Sequence, residues 1–207
     1  MGAAVAGRGD LGRPQASVSL PPAPPLLLAS SSPRRREILE QLRIPFNVVA
    51  PRYEETEEDP VAHALGKARS VLGEAGGRPV LGCDTEVLLD GRVFGKPAGA
   101  AEAEEMLERL SGRTHEVVSG LVLLTPAWED VRRAVTLVTF RDLTPRDIAW
   151  YAGSGEWEGR AGAYAIQGQG AALVERVEGD YLNVVGLPAT LLVHLLADRF
   201  PGTYGFG

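Results

Sequence analysis

Between Leu26 and Leu42 the chain reads LLLASSSPRRREILEQL, and this run constrains the fold more tightly than any other stretch. Leu26, Leu27 and Leu28 form the short apolar run of a strand buried on both faces. Ser32 stands where a helix takes its N-cap, and Pro33 at the first helical position, where a missing N–H is no loss. Ile38, Leu39 and Leu42 then recur on one helical face. A strand that enters a helix through small polar residues leaves backbone N–H groups pointing outward, which is an anion site. Arg34, Arg35 and Arg36 occupy the first turn, where cations oppose the helix dipole. Either an anion offsets that cost or the arginines form a solvated face. Three consecutive residues cover most of a turn, so at least one of them points away from any anion.

The rest of the composition narrows the partners. A chain of 207 residues, 44% of them hydrophobic, is long enough for one domain with a sizeable core, or one domain with two lobes. Its net charge of −6 argues against general affinity for nucleic acid or an anionic membrane, so any anion site is local. The single cysteine, Cys83, excludes an internal disulfide and a cysteine zinc site, and fits a reducing cytoplasm. No apolar stretch has the length of a membrane span. Met1 to Pro25, rich in Ala, Gly and Pro, reads as a disordered leader without the apolar core of a signal peptide. Leu26 to Phe200 carries no linker that would divide it, and residues 201–207 form a tail.

Along the chain, Phe46 to Ala50 predicts a short strand that runs into an acidic loop holding Glu54, Glu55, Glu57, Glu58 and Asp59. One or two of these carboxylates suit a divalent metal; the others are solvated. Pro60 opens a helix over about Val61 to Glu74. Lys67 reads there as a surface lysine, and His63, with no second His or Cys at ligand spacing, as a non-ligand. Val80 and Leu81 begin a buried strand, with Asp84 near its carboxyl end, where α/β sheets bind ligands. Period-two alternation puts Glu86 on the same face as Asp84. Two such carboxylates suit a metal or a base with a raised pKa; the alternative is a turn cap and a solvent-facing residue. Asp90-Gly91, between apolar runs, predicts a hairpin. Ala100 to Leu110 predicts a helix closed by Gly112, and Thr114 to Thr125 pairs with Val131 to Phe140. A helix from Pro145, a strand over Ala171 to Val177 and a closing helix over Leu187 to Phe200 complete the pattern. His115 and His194 read as structural. Gly159, Gly162, Gly168 and Gly170 permit close approach to a ligand, in neither Walker nor dinucleotide spacing, and the Gln167 amide among them suits the edge of a base.

Taken in order, Ala29-Ser30-Ser31-Ser32-Pro33-Arg34-Arg35, Asp84-Thr85, Gly95-Lys96-Pro97, Leu110-Ser111-Gly112-Arg113-Thr114-His115 and Ala163-Tyr164-Ala165-Ile166-Gln167-Gly168 make a set that resembles the Maf proteins. These are nucleoside triphosphate pyrophosphatases, sometimes called septum formation inhibitors. The resemblance spans about Leu26 to Phe200. It implies a two-lobed α/β fold with an elongated mixed β-sheet and a central cleft, related to inosine triphosphate pyrophosphatases. It also implies hydrolysis of a nucleoside triphosphate to the monophosphate and pyrophosphate with a divalent metal cation, Mg2+ or Mn2+. By the same resemblance Asp84 is the catalytic proton acceptor and a metal ligand, with Glu55 near the metal. Ser30, Arg35, Lys67 and Lys96 match triphosphate ligands. Arg34, Thr85 and Gln167 match the selectivity positions of the subgroup acting on dTTP and UTP. A homodimer is a family-level expectation.

Two residues depart from the pattern: Glu86 stands where many members carry an apolar residue, and Cys83 where alanine is common. Two alternatives stay open on the sequence: a pyrophosphatase of different base preference, and a non-catalytic nucleotide-binding regulator of cell division.

Overall fold

The computed structural model describes residues 23–54 and 59–207. The leader up to residue 22 and Glu55 in the acidic loop lie outside the described residues. The elements in chain order are β1 (Leu26–Ala29), α1 (Pro33–Gln41), β2 (Phe46–Val49), α2 (Pro60–Ser70), β3 (Val80–Leu89), β4 (Arg92–Phe94), α3 (Ala100–Leu110), β5 (Thr114–Thr125), β6 (Trp128–Phe140), α4 (Pro145–Ala152), β7 (Val174–Glu178), α5 (Tyr181–Val185) and α6 (Ala189–Arg199). One mixed sheet runs β2-β1-β3-β5-β6-β7, with β4 paired to the far half of β3. The pairs β1–β2 and β1–β3 are parallel; all others are antiparallel.

The register of β3 makes the cleft. β1 pairs only with Val80, Leu81 and Gly82, and β4 only with Val87, Leu88 and Leu89. Cys83 to Glu86 are therefore paired with β5 on one side, and on the other no strand among the described residues covers them. The chain opens there. On one bank lie β1, β2, α1 and α2. On the other, β4, α3, α4 and the turn at Ala161–Ala163 pack together. The long strands β3, β5 and β6 join the banks.

Two glycines let α2 lie directly on the sheet. A Cβ on Gly82 would stand 2.3 Å from the Ala64 carbonyl oxygen, and one on Gly120 would stand 2.2 Å from the Pro60 carbonyl oxygen. Gly120 is the cross-strand partner of Asp84. The α2 backbone is thus brought down beside Asp84, with His63 and Lys67, four residues apart, facing it.

Several elements follow the sequence closely. Asp90 and Gly91 both take positive φ (52° and 74°), as a two-residue hairpin requires. α3 and β5 occupy the expected ranges, and Gly112 follows α3 at φ 65°. Other elements differ for local reasons. α2 ends at Ser70, whose hydroxyl donates to the Lys67 carbonyl, and continues only as a short 3-10 turn, Leu72–Glu74. β6 begins three residues early because its polar start is held: Asp130 is buried between Arg132 and Arg199, and Arg199 lies over the Trp128 ring. The strand expected from Ala171 begins at Val174, after a 3-10 turn over Gln169–Leu173 whose Gln169 and Gly170 amides donate to Glu156. His194 is exposed on α6 rather than part of the packing. Residues 201–207 fold back, where the Tyr204 hydroxyl donates to the Pro24 carbonyl.

His115 is structural, as expected. Its ring is 1% exposed, stacks edge-on against Phe140 and Tyr164, and bonds Tyr164 Oη through Nε2 at 2.9 Å. Burial holds its pKa down at about 4, from 6.5. The unfolded chain therefore binds a proton near pH 6.5 that the folded ring refuses until about pH 4. This contribution to stability is complete above pH 6.5 and is lost as pH falls towards 4, about 3 kcal/mol in all. Urea titrations at pH 7.5 and 4.5 are expected to show wild type losing about 2–3 kcal/mol more than His115→Phe over that interval. Equal losses would mean that His115 is not the group responsible.

Candidate active site

The strand-to-helix turn after β1 forms one wall of the cleft. Ser32 has the extended backbone of an N-cap, but its side chain makes no capping bond; instead its N–H donates to Ser30 Oγ at 3.2 Å. The arginines divide as three consecutive helical residues must. Arg35 is buried, Arg34 is half-buried, and Arg36 faces solvent. Arg35 donates to the Gly186 carbonyl (2.9 Å), Ser30 Oγ (3.1 Å) and Thr85 Oγ1 (3.4 Å). It therefore ties β1, β3 and the turn after α5 together while its guanidinium borders the cleft. Thr85 is held in turn by the Ser119 hydroxyl at 2.8 Å and by the Gly186 carbonyl at 3.3 Å. Cys83, one residue before Asp84, is fully buried beneath this layer, and burial pushes its thiol pKa up. It is not a reactive thiolate.

On the opposite face of β3, Asp84 Oδ1 accepts from Lys67 Nζ at 2.5 Å, and Oδ2 lies 3.3 Å from His63 Nδ1. Glu86 Oε1 is 3.6 Å from the same nitrogen. Period-two alternation thus places both carboxylates against α2. Lys67 is a buried ion-pair partner of Asp84 rather than the surface lysine of the helix pattern. His63, read as a non-ligand from its spacing, stands with Asp84 and Glu86 in a group whose ligand atoms all lie within 4.8 Å of one another. Sequence spacing could not reveal this, because the partners come from a strand about twenty residues away.

The far wall is the loop through Gly159 to Gln167. Its Tyr164 ring packs against Phe140 and His115, and Tyr151 Oη accepts from the Ala165 N–H at 2.9 Å. The glycines here divide. Gly159 lines the cleft, whereas Gly168 and Gly170 approach Glu156 and the Ala165 backbone. The latter two serve internal packing, not a ligand. Gln167 is exposed at the cleft edge, and Lys96 at its mouth.

The cleft has a volume of about 380 Å³. Ser30, Arg34, Arg35, Lys67, Asp84, Thr85, Lys96 and Gln167 all border it. The sequence passed over Arg160, which also lines it, and Asn183 of α5. Asn183 is fully buried and donates to the Val117 carbonyl and Thr136 Oγ1, fixing the turn that presents Gly186. No helix among the described residues is long and apolar enough to cross a membrane.

Fold and cleft together define a mixed α/β protein with a basic, carboxylate-bearing cleft across an uncovered stretch of its central strand. The family model of Maf-like proteins matches residues 25–199. A protein of Symbiobacterium thermophilum named dTTP/UTP pyrophosphatase is 49% identical over 180 residues, 84% of this chain and 93% of its own length. Proteins of the same name from Gloeobacter violaceus (46% identical, 84% and 95% covered) and Deinococcus radiodurans (45%, 89% and 97%) are similar in the same way. The solved Ham1 protein of Staphylococcus aureus superposes on 57% of this chain and 73% of its own, with a TM-score of 0.46 and 14% identity. The sequence matches decide the matter: the chain belongs to the Maf family.

Proposed function

We propose that this chain is a nucleoside triphosphate pyrophosphatase that converts dTTP and UTP to the monophosphate and pyrophosphate. The observation that carries the reading is Asp84: a carboxylate on the uncovered stretch of β3, in a cleft also bordered by Arg34, Arg35, Lys67 and Lys96. The names of its relatives supply the substrates. Catalysis of this kind is mostly positioning and charge neutralisation. In this reading the arginines, Ser30 and the two lysines hold the triphosphate. The oxygen of a water molecule bonds to the α-phosphorus, and Asp84 takes the water's proton. The bond from the α-phosphorus to the bridging oxygen breaks, and its electron pair leaves with pyrophosphate. Lys67 and His63 fix the orientation of the Asp84 carboxylate. The hydroxyl of Thr85, fixed by Ser119, stands with Arg34 and Gln167 as the selectivity set.

The buried group of Asp84, Glu86 and His63 fits a divalent cation, Mg2+ or Mn2+, which Asp84 and, by the family resemblance, Glu55 would hold. Such an ion, when bound, neutralises phosphate charge and polarises a phosphoryl oxygen. The single buried thiol and a soluble nucleotide substrate agree with a cytoplasmic setting.

The test is pyrophosphate release with Mg2+ from dTTP, UTP, CTP, GTP and 7-methyl-GTP. Fast release confined to dTTP and UTP is expected. Release from another base would keep the chemistry and remove the selectivity roles of Arg34, Thr85 and Gln167. No release from any of the five would overturn the enzyme reading.

A further inference from the structure

Glu86 takes no part in the reaction above and His63 only orients its central carboxylate, yet both are buried against it. The side chains of His63, Asp84 and Glu86 are 6%, 14% and 13% exposed. Placing two carboxylates two residues apart on one face of a strand, largely out of water, is costly unless positive charge comes with them. Lys67 bonds one Asp84 oxygen. The other Asp84 oxygen and Glu86 Oε1 converge on a single atom, His63 Nδ1, at 3.3 and 3.6 Å.

Those separations are long for hydrogen bonds between an imidazole and a carboxylate, which run at about 2.7–2.9 Å when charge-assisted. The shorter matches the spacing of neighbouring ligands around a small ion, the longer lies slightly beyond it, and all three ligand atoms lie within 4.8 Å of one another. Two donors each about 2.1 Å from a metal lie about 3.0–3.4 Å apart, from a right angle to a tetrahedral one. A single imidazole nitrogen thus faces two buried carboxylates, an arrangement that a cation among the three ligand atoms would favour. The close seat of α2 on Gly82 and Gly120 is what brings the imidazole within reach.

We propose that His63, Asp84 and Glu86 together bind one first-row transition-metal dication, in preference to Mg2+. This deepens the reading of Asp84 as a metal carboxylate and rests on it. The imidazole is the decisive ligand, because nitrogen donors favour Co2+, Zn2+ and Mn2+, whereas Mg2+ takes oxygen and water. Glu86, the departure from the family pattern noted in the sequence, supplies the third protein ligand. The site opens to the cleft through Asp84.

The test uses the full chain and Co2+ alone, without nucleotide, read by calorimetry and by visible absorption. Wild type is expected to bind Co2+ at least about tenfold more tightly than Mg2+, with visible bands of a low-coordinate ion. His63→Leu is expected to lose at least about tenfold in Co2+ affinity, with Mg2+ affinity little changed. Glu86→Gln, nearly isosteric, is expected to show the same loss and decides the matter if circular dichroism finds His63→Leu unfolded. Co2+ bound as tightly by the folded variants as by wild type overturns the proposal, and so does a wild type without visible bands at saturating Co2+. Turnover plays no part in these readouts, so failure here and failure of the pyrophosphatase reading are separate results.

Discussion

Asp84→Asn is expected to lower pyrophosphate release from dTTP and UTP by about 10²- to 10⁴-fold, the range that a positioned general base supplies. The substitution keeps the shape of the side chain and removes its charge and its capacity to take a proton. Asp84 sits between Lys67 Nζ at 2.5 Å and His63 Nδ1 at 3.3 Å, so an amide in its place still has neighbours to orient it. The loss should therefore appear in kcat. Binding of a non-hydrolysable triphosphate should hold or tighten, because a negative charge facing the phosphates has gone. This split separates a base from a residue that merely holds the cleft together, whose loss would weaken binding and lower the melting temperature as well. A variant that turns over within tenfold of wild type would remove Asp84 from the chemistry. The same measurement answers the regulator alternative, which requires triphosphate binding without turnover in wild type.

Much of this site was legible in the sequence, and the physical reason differs from residue to residue. The strand, serine turn and arginine helix from Leu26 onward declare themselves locally, through apolar runs, a proline at the first helical position and charge on one turn. Asp84 stands out because it follows a buried run. What the sequence hid are relations across the fold. His63 looks isolated on α2 because its neighbours, Asp84 and Glu86, come from β3. Lys67 reads as a surface lysine because helical periodicity says nothing about a glycine on the sheet that lets its helix sink. Gly168 and Gly170 look like a ligand cradle, yet the groups they admit are the Glu156 carboxylate and the Ala165 backbone. α5 has only five residues, too few for periodicity; its signal is Asp180, which caps Leu182 and Asn183. Missing it meant missing Gly186, whose carbonyl accepts from Arg35, Thr85 and Cys83.

The glycine pair under α2 gives the second large expected effect. In Gly120→Ala the new methyl carbon would lie 2.2 Å from the Pro60 carbonyl oxygen and 2.5 Å from Val61 Cα, both backbone atoms. Neither can swing aside as a flexible side chain does, so the first turn of α2 must lift by roughly 1 Å to restore ordinary contact. Overpacking of this kind costs about 1–3 kcal/mol, or roughly 3–10 °C of melting temperature in a chain of this size. The larger effect falls on turnover. His63 and Lys67 ride on the lifted helix while Asp84 stays on β3, opposite Gly120. Misplacement by about 1 Å at a reacting group costs about 10²-fold. Gly73→Ala is the control: it lies in the 3-10 turn beyond α2, with open space where its Cβ would be, and is expected to match wild type in both measurements. Turnover is to be read well below the melting point of the variant, so that unfolding contributes nothing. A Gly120→Ala protein that melts and turns over like wild type would show that α2 is not seated by this contact. The separation of Lys67 and His63 from Asp84 would then have to be set elsewhere, by the N-cap at Asp59 or by the packing of Ala64 and Ala68.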